Sequence, residues 1–224
     1  MRDPTAWRWD RTCRYAGATE DGAISAALGD ILARHSEPQR HHHTIEHVAE
    51  VTQTIRALGD PRLPVADTAL APESYSAACL AGWLHDVVYD PTSATNEADS
   101  AEYASRCLAT LGIDEWITGE TARLILATAT HEVTSQDGAG MVLMDADLAI
   151  LAARRKRYDR YASAIRAEYP HLDDATYAAG RATILRGFLD RGSLYYCEQM
   201  VTRCDEAARQ NLRRELDSLT LDPR

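Results

Sequence analysis

Apolar residues recur every three to four positions along most of the chain, and no stretch alternates apolar with polar as a half-buried strand does. Ile24, Ala27, Leu28, Ile31 and Leu32 make one stripe, and Ile45, Val48, Val51, Ile55 and Leu58 make a second that stops at Gly59. Each predicts a helix. From Asp60 to Pro72 the periodicity lapses among three prolines, which reads as a surface loop or partial lid. The next helix, about Ser74 to Val88, is apolar nearly all round and belongs in the middle of a bundle. Pro91-Thr92-Ser93 breaks the chain. Asn96 or Thr95 then caps a helix running to Gly112, and Asp114 caps another through Ile117, Ala122, Ile125 and Ala129 to His131. Glu132 to Gly140 is polar and reads as a loop. Further helices are expected at about Met144 to Ala153, Arg155 to Glu168, Ala175 to Asp190 and Cys197 to Leu219. The fold class is therefore all-α. No Gly/Ser- or Pro-rich linker divides the 224 residues, so one domain is expected over 1–224, with 1–20 as an N-terminal extension.

Composition narrows the function classes. A net charge of -10 and a pI near 5.2 argue against nucleic acid as the main partner, because such binding relies on clustered Lys and Arg. No segment reaches the roughly 18 apolar residues of a membrane span, and the N-terminus, with Arg2, Asp3, Arg8 and Asp10, lacks an apolar signal core. A cytoplasmic protein with no membrane partner is expected. Cys13, Cys79, Cys107, Cys197 and Cys204 are odd in number and lack zinc-site spacing, which predicts reduced, mostly buried thiols. Trp7, Trp9, Trp83 and Trp116 are expected in the core.

Two apolar segments carry acids. His85-Asp86 follows Leu80-Ala81-Gly82-Trp83-Leu84, and Asp145 and Asp147 interrupt a run from Met141 to Leu151. A carboxylate buried among such neighbours costs several kcal/mol, roughly, unless a cation compensates it. Five of the eight histidines, His35, His41, His42, His43 and His47, fall in one short segment. His35, His41 and His42 read as a solvated helix start. His43 and His47 stand four apart on one helical face, and His47 borders the apolar stripe. A histidine, a His-Asp pair and one aspartate of Asp145-Ala146-Asp147 make a plausible nitrogen and oxygen ligand set for a divalent ion. His85 and Asp86 are adjacent on this helix and so point about 100° apart, so a shared ion must sit beside the helix between their two directions. Glu97 reads either as a general acid or base or as a first-turn glutamate. His131 reads either as a group beside the site or as a helix C-terminal histidine. Arg40 is a candidate phosphate clamp. Arg154-Arg155-Lys156-Arg157 reads as a solvated face, and Arg166 and Arg181 as partners of Glu168, Asp173 or Asp174.

The order His47, His85-Asp86, Asp147 resembles the HD superfamily of metal-dependent phosphohydrolases. Several stretches are similar to bacterial HD-domain proteins described as predicted metal-dependent phosphohydrolases. They are Glu37 to His43 with His47, Trp83 to Asp90, Asn96-Glu97 with Ser100-Ala101, Ala127 to His131, Asp145 to Leu151 and Ile165 to Tyr169. The likeness continues to Arg209, Asn211, Leu212 and Glu215, so that it spans about 37–219. His42 stands where the pattern has a tyrosine. The resemblance implies a single HD-type helical bundle with a core metal site held by His47, His85, Asp86 and Asp147, the second acid of Asp-Ala-Asp. It implies hydrolysis of a nucleotide or other small phosphorylated metabolite, with Asp86, Glu97 and His131 in catalysis and Arg40 and His43 on the substrate. The divalent ion is one of Mn, Fe, Co, Ni, Mg or Zn, and a homo-oligomer is compatible with the sequence. The alternatives are an HD-type metal oxygenase, disfavoured because His131 is the one histidine between the His-Asp pair and the last aspartate, and a non-catalytic nucleotide-sensing module.

Overall fold

The periodic segments all become helices, and no strand occurs among the described residues of the computed structural model, 4–63 and 68–221. Ten α-helices follow in order: α1 Pro4–Tyr15, α2 Asp21–Arg34, α3 Ile45–Gly59, α4 Pro72–Leu84, α5 Asn96–Thr110, α6 Glu115–Ala127, α7 Gly138–Asp147, α8 Arg155–Glu168, α9 Asp174–Leu189 and α10 Glu198–Leu221. A 3₁₀ stretch, Leu148–Ala152, continues α7. None of the helices is long and apolar enough to cross a membrane. No disulfide joins any of the five cysteines, three of which are buried.

The uniformly apolar helix lies in the middle, as its pattern requires. Every residue of α4 from Tyr75 to Leu84 is buried, against α3, α6 and α7. Fully buried leucines such as Leu80 and Leu84 contribute about 1.5–3 kcal/mol each. Gly82 permits the close approach of α3: a Cβ there would stand 2.6 Å from Ile55 Cδ1. That closeness brings the helix carrying His47 against the helix that ends beside His85.

Several boundaries depart from the periodicity. Residues 4–15, expected as an extension, form a helix whose Trp9 and Cys13 are fully buried against α2 and α4. Arg8, Asp10, Arg11 and Arg14 dilute its apolar stripe in sequence. The core expectation for Trp7 falls outside the described side chains, and Trp116 is 55% exposed rather than in the core. The lid expectation falls partly on residues 64–67, outside the description. The described flanks do not cover His47: Thr68 and Leu70 donate to the carbonyls of Leu58 and Gly59, at the other end of α3. α7 starts at Gly138, inside the expected loop, because Asp137 caps the Gly140 N–H at 2.9 Å and overrides the weak helix preference of Gly138 and Gly140.

Candidate metal site and cleft

The site forms where three helices end or begin. α4 stops at Leu84, four residues earlier than its apolar pattern suggests, and His85 caps it with its N–H on the Ala81 carbonyl. Val87 N–H turns back to the Leu84 carbonyl at 3.2 Å. This tight turn brings the Asp86 side chain round toward that of its neighbour, so Asp86 Oδ2 lies 3.0 Å from His85 Nε2. His47, in the first turn of α3, places Nε2 3.2 Å from His85 Nε2. Asp147, where α7 tightens into the 3₁₀ stretch, puts Oδ1 3.0 Å from His47 Nε2 and 3.5 Å from His85 Nε2. Asp86 Oδ2 is 3.5 Å from His47 Nε2. Ligand atoms of His47, His85 and Asp147 all lie within 4.8 Å of one another, so this group could hold a metal ion.

The donor chemistry fits a cation. Two imidazole Nε2 atoms 3.2 Å apart repel as lone pairs unless one is protonated and donates to the other or both bind one positive centre. Burial disfavours the charged form of His85, but Asp86 and Asp147 outweigh it and hold its pKa well above the usual value. Burial likewise opposes ionisation of Asp86 and Asp147. The imidazoles of His85, His43 and His47 in the first case, and of His131, His47 and His85 in the second, hold both carboxyls well below the carboxylate range. The cluster thus presents carboxylates as anions, the form that ligates metal. His85 Nδ1 is buried with no hydrogen-bond partner among the described residues, while its Nε2 faces Asp86 and Asp147.

Asp145 has a different role. It is fully buried, and its two oxygens accept the backbone N–H groups of Tyr196 and Cys197 at 2.8 and 2.7 Å. It anchors the segment before α10, while Asp147 joins the cluster. Asn211 on α10 secures the other side of the 3₁₀ stretch by donating to the Leu151 and Ala153 carbonyls, both at 2.8 Å.

A cleft of about 800 Å³ opens beside Asp147, between the cluster and α8 and α9. Glu97, His131 and His43 all line it, so three of the sequence candidates meet on one wall. Glu97 makes no hydrogen bond to the described chain. His131 lies beyond the end of α6, which stops at Ala127 rather than at the histidine. Its backbone is left-handed, with φ at 52°. Tyr196 and Arg191 hold its carbonyl at 3.0 and 3.2 Å, and its Nε2 meets Asp147 Oδ2 at 2.8 Å.

Arg40 is placed otherwise than a phosphate clamp. Its side chain is buried, paired with Glu37 and donating to the carbonyls of His43, Asp86 and Val87. It fixes the His43 turn to the end of α4, with its donors spent on the chain. His35, expected in solvent, is buried; its Nδ1 lies 3.3 Å from the His43 carbonyl, and burial first, then Arg40, pushes its pKa down to about 4.

Sequence reasoning missed Glu168. It pairs with neither Arg166 nor Arg181: Arg166 meets Asp174, and Arg181 meets Glu215 at 2.8 Å. Glu168 Oε1 accepts the N–H groups of His41, His42 and His43 at 2.7, 2.7 and 3.0 Å, and Oε2 meets His43 Nδ1 at 2.7 Å and the Tyr89 hydroxyl at 2.9 Å. Burial raises its pKa, but His43 and the turn's N–H groups prevail and bring it to about 2. In return His43, despite burial, is raised by Asp86 and Glu168. One signal was available: an acid at the C-terminal end of α8 opposes the helix dipole and so needs another reason to be there.

No family model, no curated protein and no solved structure matches this chain.

Proposed function

We propose that this chain is a metal-dependent phosphohydrolase of the HD type, acting on a nucleotide or other small phosphorylated metabolite. The observation that carries the reading is the meeting of His47, His85, Asp86 and Asp147 at one point, with Asp147 on the wall of an open cleft. A divalent ion held there supplies, when bound, a Lewis acid for a phosphoryl oxygen and a lowered pKa for water.

The chain's own groups divide the remaining work. Asp86, held ionised, is a hydrogen-bond acceptor that orients the attacking water and does not serve as an acid. Glu97, with no hydrogen-bond partner among the described residues, is the general acid or base at the cleft wall. His131 fixes Asp147 through Nε2, and His43, whose charged form Asp86 and Glu168 favour against burial, faces the substrate's negative charge. Arg181 adds little, because Glu215 neutralises it.

Metal analysis with phosphate release from a panel of nucleotides and phosphoesters tests the reading. Bound metal and turnover are both expected, and both are lost in His85→Ala and Asp86→Ala. Turnover that survives these substitutions overturns it. So does O₂ consumption without phosphate release, or nucleotide binding without turnover.

A further inference from the structure

The cleft beside the metal cluster changes character away from Asp147. Tyr177, Gly180, Ile184, Gly187 and Phe188 of α9 all line it. Steps of three, four, three and one residues put these five on one face of that helix, within about 100° of arc. A helix usually packs such an apolar face against a neighbouring element. Here Ile184 is 53% exposed, and a Cβ at Gly180 or Gly187 would meet nothing within 4 Å. Tyr161 and Ile165, one turn apart on α8, extend the apolar lining.

Charge points the same way. Apart from histidines and the metal cluster, the cleft's ionic side chains are three acids, Glu97, Glu132 and Asp190, and two arginines, Arg181 and Arg191. Both arginines are committed to the chain. Arg181 pairs with Glu215 at 2.8 Å. Arg191 gives its two terminal nitrogens to the carbonyls of His131 and Thr130, at 3.2 and 2.8 Å, and lies over the Phe188 ring at 4.8 Å. Uncommitted positive charge for a phosphoryl group therefore gathers at the cluster end, in a bound divalent ion and His43. A second or third phosphate would meet carboxylates instead.

We propose that this cleft selects monophosphate esters of an apolar alcohol and rejects polyphosphates, with the face of α9 centred on Ile184 recognising the organic part. The inference deepens the hydrolase reading by naming a substrate class, and rests on that reading only for the fate of the ester. At about 800 Å³ the cleft falls within the range of small-molecule sites, roughly 300–1,000 Å³, with room for a fused two-ring alcohol beside the phosphate.

Two matched pairs of probes test this on the full chain as purified: naphthyl phosphate against glycerol phosphate for the apolar part, and AMP against ATP for the charge. In each pair kcat/KM is expected to be at least about tenfold higher for the first. Ile184→Ser, at an exposed position, should lower the naphthyl-to-glycerol ratio by about threefold or more, through KM for the naphthyl ester. A merely structural role would lower both esters alike and leave the ratio unchanged. Asp190→Lys, also exposed, should narrow the gap between AMP and ATP. Calorimetry on His85→Ala reads binding without turnover, and there naphthyl phosphate should bind more tightly than glycerol phosphate, with a negative heat-capacity change. Glycerol phosphate used as well as naphthyl phosphate, ATP preferred to AMP, or a ratio indifferent to Ile184→Ser overturns this proposal while phosphate release still upholds the hydrolase. Absence of release from all four probes overturns the hydrolase, and the binding preference in His85→Ala then decides the cleft's ligand on its own.

Discussion

Asp145 and Asp147 stand two residues apart at the end of α7, and their surroundings follow opposite logic. Asp145 has its charge answered by two backbone N–H groups, at 2.8 and 2.7 Å, and burial lifts its pKa to about 6 in spite of them. Asp147 faces three imidazoles, from His47, His85 and His131, beside a cleft. The first arrangement is closed: every oxygen has a donor that cannot leave. The second is built from side chains that can equally turn their lone pairs to a metal. A buried acid is therefore not in itself a mark of function. The Arg181–Glu215 pair makes the same point with full charges, since it lies in the protein with a Tyr158 hydroxyl on the carboxylate and no convergent ligands.

The contrast is broken or sharpened first at the aspartates. Asp147→Asn is expected to lower metal affinity by more than about a hundredfold, beyond the range of changes one shell further out, while the chain stays folded. Asp145→Ala leaves two N–H groups without acceptors, at about 1–3 kcal/mol each, and should lower the unfolding free energy with little change in the affinity of folded molecules for metal. Metal titration and urea unfolding on both variants decide it. Exchanged outcomes would reverse the two roles.

The closed type of charge is tested next at Arg181. Arg181→Met strands Glu215 among buried neighbours and should cost about 3–5 kcal/mol in denaturant unfolding. A cost below 1 kcal/mol would mean that water reaches the pair, and that the distinction between closed and open charge is overdrawn here.

Glu168 adds a pH arm of similar size. Its pKa in the folded protein, about 2, lies below the ordinary 4.5, so folding favours the ionised form. The stabilisation is present above pH 4.5 and is lost as pH falls through about 2. It amounts to about 3 kcal/mol, shared with His43 and not to be counted twice. Glu168→Gln should flatten this acid limb. An unchanged limb would place the acid sensitivity elsewhere.

The helices were legible because apolar spacing is a local property. α4 in particular announces its central position by having no polar face. The four clustered side chains were legible as residue types, yet their geometry was not: the convergence of His85 and Asp86 depends on α4 stopping at Leu84, which no local signal in Trp83-Leu84-His85-Asp86-Val87 encodes. Asp147 could be preferred to Asp145 by resemblance alone, because what separates them is the N–H groups of Tyr196 and Cys197, some fifty residues away. Arg40 and Glu168 were misread for a related reason. A charged residue looks the same in sequence whether it faces a ligand or ties two loops together, and only tertiary contacts with Asp86, Val87 and the His41 to His43 turn distinguish the two.

The smallest effect expected is also the most discriminating, at His131. Its left-handed backbone costs about 1–2 kcal/mol for a residue with a Cβ, and that strain is held by Arg191 and Tyr196 on its carbonyl. From that conformation the side chain meets Asp147 Oδ2 at 2.8 Å. His131→Gly removes the strain and the contact together. Stability should stay level or rise by up to about 1 kcal/mol, because the glycine's extra freedom in the unfolded chain offsets part of the relief. Metal affinity should fall about 10–100-fold, as when a group orienting a ligand is lost. The opposite signs carry the inference: a purely structural histidine would lower stability on removal and leave affinity alone, whereas strain kept in place to orient a carboxylate predicts a protein that is no less stable and holds its ion less well.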